Sequence, residues 1–116
     1  MNATRSDEFR PFTIEVHPHR EVVRVAPVGE VDLATVGRLR ERIDELISAG
    51  FAQLTLDLER VTFMDSTGIR LLLELVHASR DDHWELSVIG IPAPVERLLE
   101  LSGVLDAVRL GEPEST

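Results

Sequence analysis

Phe63-Met64-Asp65-Ser66-Thr67-Gly68, running on into Ile69-Arg70-Leu71-Leu72-Leu73-Glu74-Leu75-Val76, is the stretch that decides how this chain folds. A strand-like segment ends just before it and a helix begins inside it. Asp65, Ser66 and Thr67, residue types favoured at helix N-termini, therefore stand at the mouth of a strand-to-helix turn. In open α/β sheets such turns lie at the carboxyl ends of strands, where helix N–H groups point outward and sites form. A hydroxyl in this position can cap the helix, as such residues usually do. It can also accept a phosphoryl group, which would meet free amides and the positive end of the helix dipole. Spacing alone leaves both readings open.

The flanking sequence supplies the sheet and the helices. Phe12-Thr13-Ile14-Glu15-Val16-His17 alternates apolar and polar residues, as a half-buried strand does. A turn at Pro18-His19-Arg20-Glu21 joins it to a second strand, Val22 to Val28, and the short connection makes the two an antiparallel hairpin. Gly29-Glu30-Val31-Asp32 closes that strand. A helix is expected from Leu33 to about Ala49, with Asp32 as N-cap and Gly50 as C-cap, because Val36, Leu39, Ile43, Leu46 and Ile47 share one face. Leu54 to Leu58 reads as a third strand. The helix after Asp65 is apolar nearly all round, so it is either largely buried or keeps a second face for a partner. Trp84 to Ile89 reads as a fourth strand, Val95 to Leu101 as a third helix, and Ala107 to Leu110 as a last strand. The order β-β-α-β-α-β-α-β predicts an α/β domain with a mixed, mostly parallel sheet, an N-terminal hairpin, and helices packed on the sheet through right-handed crossovers.

At 116 residues the chain makes one domain, with 43% hydrophobic and 28% charged residues, enough for a modest core. Residues 1–11 read as a flexible leader and residues 111–116 as a polar tail. The polar N-terminus has no apolar signal-peptide core, and no window approaches the roughly 18 apolar residues of a membrane span. A cytoplasmic location is expected. The sequence has no cysteine, which excludes disulfides, thiolate metal sites and cysteine nucleophiles. A net charge of −9 argues against nucleic-acid binding, since phosphate contacts need a basic surface. It suits either a basic protein partner or simple solubility.

The twelve Lys and Arg residues are all arginine, so no P-loop, Schiff-base or receiver-domain lysine exists. Asp57, at a strand end, therefore lacks the lysine that a phospho-accepting aspartate of a receiver domain requires. Ser66 has no Gly-x-Ser-x-Gly elbow, and nothing in the sequence sets His77, further along the same helix, beside it. His17 and His19 flank Pro18 without carboxylates at ligand spacing, so no metal site is expected. Nothing calls for a cofactor or for enzymatic activity.

Leu56-Asp57-Leu58 followed by Val61-Thr62-Phe63-Met64-Asp65-Ser66-Thr67-Gly68-Ile69 resembles the signature of STAS domains, specifically the bacterial anti-sigma factor antagonists. Gly29-Glu30-Val31-Asp32, with Thr35 after it, resembles that family's Gly-Glu-Leu-Asp loop, and Val95 to Gly103 resembles its third helix. The likeness spans Phe12 to Leu110, which sets a STAS domain at residues 12–110. It implies that the unphosphorylated protein binds an anti-sigma factor, a serine kinase of the histidine-kinase-like ATPase fold, and so frees a sigma factor. The kinase would phosphorylate Ser66, with Thr67 as second choice, and a serine phosphatase would reset it. The implied partner face comprises Glu30, Asp32, Thr35, Met64, Asp65, Ser66, Thr67, Gly68 and Arg70, and the implied protein is a monomer or weak homodimer. Family members usually end in a fourth helix, which the tail after Leu110 is too short and too polar to supply. The alternative is a STAS module that scaffolds a signalling or transporter-associated complex, with Ser66 acting only as a cap. A nucleotide-hydrolysing domain is a third reading, and the missing P-loop and lysine count against it.

Overall fold

A computed structural model describes residues 11–109. Strands β1 (Thr13–His19) and β2 (Val22–Val31) lead into helix α1 (Val36–Ser48). Strands β3 (Gln53–Asp57) and β4 (Val61–Met64) follow, then α2 (Ser66–Asp82), β5 (Glu85–Ile89), α3 (Ala93–Leu101) and α4 (Leu105–Arg109). The hairpin is antiparallel, pairing Val16 with Val25. Every other ladder is parallel: β2 with β3, β2 with β4, and β3 with β5. The long strand β2 is the axis, with β3 beside its first half and β4 beside its end.

Pairing register puts Val16, Val25, Leu56 and Val88 in one row across the sheet, with Val23, Leu54 and Leu86 beside them. These residues join Leu39 and Ile43 of α1, Leu71, Leu72, Leu75 and Val76 of α2, Leu99 of α3 and Val108 of α4 in a single core. Burying each such side chain contributes roughly 1.5–3 kcal/mol. The opposite sheet face carries Arg24, Thr55, Asp57 and Ser87, all half-buried. The Arg24 guanidinium donates to the Asp57 carboxylate at 3.2 Å, tying β2 to β3 on that face. Helix α2 is largely buried, leaving Arg70, Glu74, His77 and Arg80 outside.

Four expectations change. Val61–Met64 is a strand of its own, so the order is β-β-α-β-β-α-β-α-α. It is only four residues long, and both its middle residues are exposed, which hides it from a search for alternation. Ala107 to Arg109 is helical rather than the start of a last strand. Leu105 and Val108, three apart, are the residues it buries; the tail after Leu110, from which the fourth helix was expected to be missing, lies outside the described residues. Helix α1 starts at Val36 and its cap is Thr35, without a side-chain cap bond, because Asp32 is used in the turn before it. At its other end the cap is Ala49 rather than Gly50, which follows with a φ of 106°. The expected leader up to Arg10, Leu110 and the tail lie outside the described residues. Among those described, no helix is long and apolar enough to cross a membrane.

Candidate functional site

Parallel pairing of β2 with β4 sets Glu30 opposite Phe63 and Val31 opposite Met64, so both strands finish side by side. The chain leaves β2 through Asp32 and leaves β4 through Asp65, and the two loops meet at one edge of the sheet. A register shift between Gly29 and Glu30 marks a bulge in β2 at this point, the kind of irregularity that re-aims a strand end near a site. Gly29 has a φ of 118°, and a Cβ there would stand 2.7 Å from the Pro11 carbonyl oxygen. No side chain fits.

Asp65 clasps the two loops together. Its extended backbone makes it the N-cap of α2, and its Oδ1 accepts the Thr67 N–H at 2.9 Å and the Gly68 N–H at 3.4 Å. The Thr67 hydroxyl donates to the same oxygen. The Asp65 N–H donates to the Val31 carbonyl at 3.1 Å, while the Leu33 N–H reaches the Asp65 carboxylate from the other loop. Burial pushes the Asp65 carboxyl up. The hydrogen bonds from the Thr67 hydroxyl and from the N–H groups of Thr67, Gly68 and Leu33 outweigh it and hold the group below its ordinary value.

The first loop is closed by Asp32 and Thr35. The Asp32 Oδ1 accepts from the Ala34 and Thr35 N–H groups at 3.0 and 3.2 Å. The Thr35 hydroxyl donates to the Glu30 carbonyl at 2.7 Å and accepts the Asp32 N–H at 3.0 Å. These bonds are all local, so they fix the loop before anything docks on it.

Ser66 is the first residue of α2 and is exposed, and its hydroxyl takes no part in this network. Thr67 is half-buried, with its hydroxyl proton held by Asp65. The two hydroxyls, equivalent by residue type, are thus separated by their surroundings. One expectation is revised: of the helix-end amides that a phosphate on Ser66 was to meet, those of Thr67 and Gly68 are already taken by Asp65.

Of the other expected partner residues, Glu30 at the end of β2 and Asp32 and Thr35 in the loop after it are half-buried, and Arg70 is exposed one turn beyond Ser66. Met64 and Gly68 are buried. They support the site from beneath: a Cβ on Gly68 would stand 2.5 Å from the Met64 Cγ and 3.1 Å from the Val31 Cγ1. Sequence reasoning passed over Leu33, 79% exposed, and Phe63, 50% exposed. Each directly follows or nearly precedes one of the two aspartates. Large apolar residues inside otherwise polar loop signals could have drawn notice to them.

The described residues thus form a mixed α/β domain with an exposed serine on a clasped helix N-terminus. A STAS domain profile matches residues 13–115, and the chain belongs to the STAS domain family. It is 30% identical over 101 residues to the anti-sigma-B factor antagonist of Staphylococcus aureus (strain NCTC 8325 / PS 47), a match covering 87% of this chain and 94% of that one. An anti-sigma factor antagonist from Mycobacterium paratuberculosis superposes with a TM-score of 0.68 at 25% identity, over 81% of this chain and 80% of its own. The antagonist SpoIIAA in its unphosphorylated form gives 0.68 at 26% identity, over 83% and 84%.

Proposed function

We propose that this chain is an anti-sigma factor antagonist that binds an anti-sigma factor through the Asp32 and Asp65 loops, and that phosphorylation of Ser66 ends the binding. The observation that carries this reading is the contrast between the free, exposed Ser66 hydroxyl and the Thr67 hydroxyl held by Asp65. SpoIIAA, a relative in fold, is known in unphosphorylated and phosphorylated forms. The anti-sigma factor is itself a serine kinase of the histidine-kinase-like ATPase fold. It transfers the γ-phosphoryl group of ATP to the Ser66 Oγ, leaving ADP, while the hydroxyl proton passes to a base on the kinase. A serine phosphatase resets the switch in the cytoplasm. The chain supplies the acceptor and no catalytic group, as befits a regulator.

The modification adds roughly −1.5 to −2 charges at pH 7, beside the Asp65 carboxylate and a loop from Asp32. Like charge and the bulk of the new group oppose a partner surface fitted to a bare serine, with no refolding of the domain. Incubation with the cognate kinase and ATP followed by mass spectrometry should place phosphate on Ser66; phosphate on neither hydroxyl, or on Thr67 alone, refutes the assignment. By calorimetry Ser66→Ala should bind the anti-sigma factor as the unmodified protein does and Ser66→Asp should bind weakly. Equal affinities for the two would instead mark a scaffolding module with Ser66 outside the switch.

A further inference from the structure

Beside the Ser66 face, β4 and α3 enclose a groove of about 260 Å³ lined by Thr62, Phe63, Met64, Pro94, Val95 and Leu98. Helix α3 buries Val95 and Leu99 in the core. Pro94, Leu98 and Leu101 follow one another at i, i+4 and i+7, which places them on a second stripe of the same helix. Leu98 is only partly buried, and Leu101, at 79% exposure, is among the most exposed large apolar residues described. With half-exposed Phe63 on the facing strand, the groove has apolar walls on both sides. Leu98 packs in part against the core, while Phe63 and Leu101 stay exposed among the described residues.

We infer that this groove is the apolar anchor point of the anti-sigma factor interface, taking a large aliphatic or aromatic side chain that the partner presents among basic residues. The inference rests on the Ser66 face being the binding face. Continuity argues for that occupant. Phe63 lies three residues before Ser66, so their Cα atoms are at most about 11 Å apart. An interface of ordinary size buries about 800 Å² on each partner, a disc about 16 Å in radius, and one centred on Ser66 covers the groove mouth. Charge argues the same way at the Ser66 end, where the rim continues into Asp65, and the chain carries −9 overall. Binding energy in such interfaces concentrates in a few apolar anchors seated in pockets, with charged groups setting specificity around them. Ser66 and its neighbours offer the second kind of contact, and the groove offers the first.

The division of labour separates anchor from switch. Leu98→Glu puts a charge into the groove and Phe63→Ala removes one wall. Ile89→Ala, on the far sheet face, serves as control. Each variant is first checked for an unchanged far-UV spectrum and cooperative melting, then titrated by calorimetry with the purified cognate anti-sigma factor. Leu98→Glu and Phe63→Ala should each weaken binding by more than about fivefold, the threshold of an energetically significant contact, while Ile89→Ala stays within twofold. Smaller losses in both groove variants overturn the inference even where Ser66→Asp abolishes binding. Losses in the groove variants with Ser66→Ala and Ser66→Asp binding equally would leave the anchor standing and remove the switch. If the groove serves instead to pair two copies, sedimentation of the unmodified chain shows a dimer that Leu98→Glu dissociates without weakening partner binding, which also overturns the inference.

Discussion

Removing the Asp65 clasp is the most direct test of how the site is built. Asp65→Ala strips the N-cap from α2, which costs about 1 kcal/mol and up to about 2 in some hosts. It also strands the Leu33 N–H, the link to the first loop, and a lost hydrogen bond of this kind costs about 1 kcal/mol. The carboxylate is only half-buried, so solvent screening keeps its charge from adding much more. The total is about 2 kcal/mol, which lowers the melting temperature by about 8 °C for a domain of this size. Asp65→Asn keeps an acceptor at the cap and should lose less, about 1 kcal/mol. The pH dependence has a definite sign. Hydrogen bonds hold the folded carboxyl below its ordinary value, so its contribution is fully present above the unfolded pKa of about 3.9. It is lost as pH falls through the lower folded value. Urea unfolding between pH 7 and pH 2 should therefore show the gap between the native chain and Asp65→Asn narrow in acid. An Asp65→Ala chain within about 0.5 kcal/mol of native, or a gap that widens as pH falls, refutes the clasp.

Three glycine substitutions test the support beneath the site and the far side of the sheet. Gly68→Ala gains helix propensity, worth at most about 1 kcal/mol, but its Cβ stands 2.5 Å from the buried Met64 Cγ, and overpacking costs about 1–3 kcal/mol. A net loss of about 1 kcal/mol and weakened partner binding are expected; stabilisation in urea would show that α2 shifts freely on β4. Gly90→Ala and Gly103→Ala both place a Cβ at positive φ, of 66° and 77°. Only Gly90 also meets neighbours, with the Asp57 Oδ1 at 2.6 Å and open space around Gly103. Backbone strain of about 1 kcal/mol or more is common to both, so Gly90→Ala should melt several degrees lower, and equal melting temperatures would dismiss the Asp57 contact.

Much of the fold was legible because its signals are periodic. The alternation of Ile14 and Val16 gave the hairpin, and the spacing of Leu39, Ile43 and Leu46 gave α1. What was hidden had no period to read. Strand β4 is held by its pairing with β2 and exposes Thr62 and Phe63, so its sequence lacks the alternation of a half-buried strand. Helix α4 is a single short turn-and-a-half with Leu105 and Val108 inward, too brief for 3.6-residue periodicity to stand apart from a strand. The cap of α1 moved for a related reason. Asp32 is a good capping residue by type, yet its carboxylate closes the turn at Ala34 and Thr35, and that use is decided by how the chain leaves β2.

At the candidate site, the sequence set Asp65, Ser66 and Thr67 at a strand-to-helix turn, where they stand, but could not rank the two hydroxyls by environment. Asp65 does that. By taking the Thr67 hydroxyl and the Thr67 and Gly68 amides onto one oxygen, it uses up the donors that would draw a phosphate inward onto the helix end. A phosphate on Ser66 would then be left beside a carboxylate with the Thr67 and Gly68 donors filled, and repulsion from Asp65 would turn it toward solvent. The same bonds that stabilise α2 thus deny the modification the Thr67 and Gly68 amides as partners. Its free energy is spent on whatever covers Ser66, so the domain itself should keep its stability on phosphorylation while its complex loses affinity. A phosphorylated chain melting many degrees above the unmodified one would mean that the phosphate had displaced Asp65 at the cap, and that the switch works by ordering the helix.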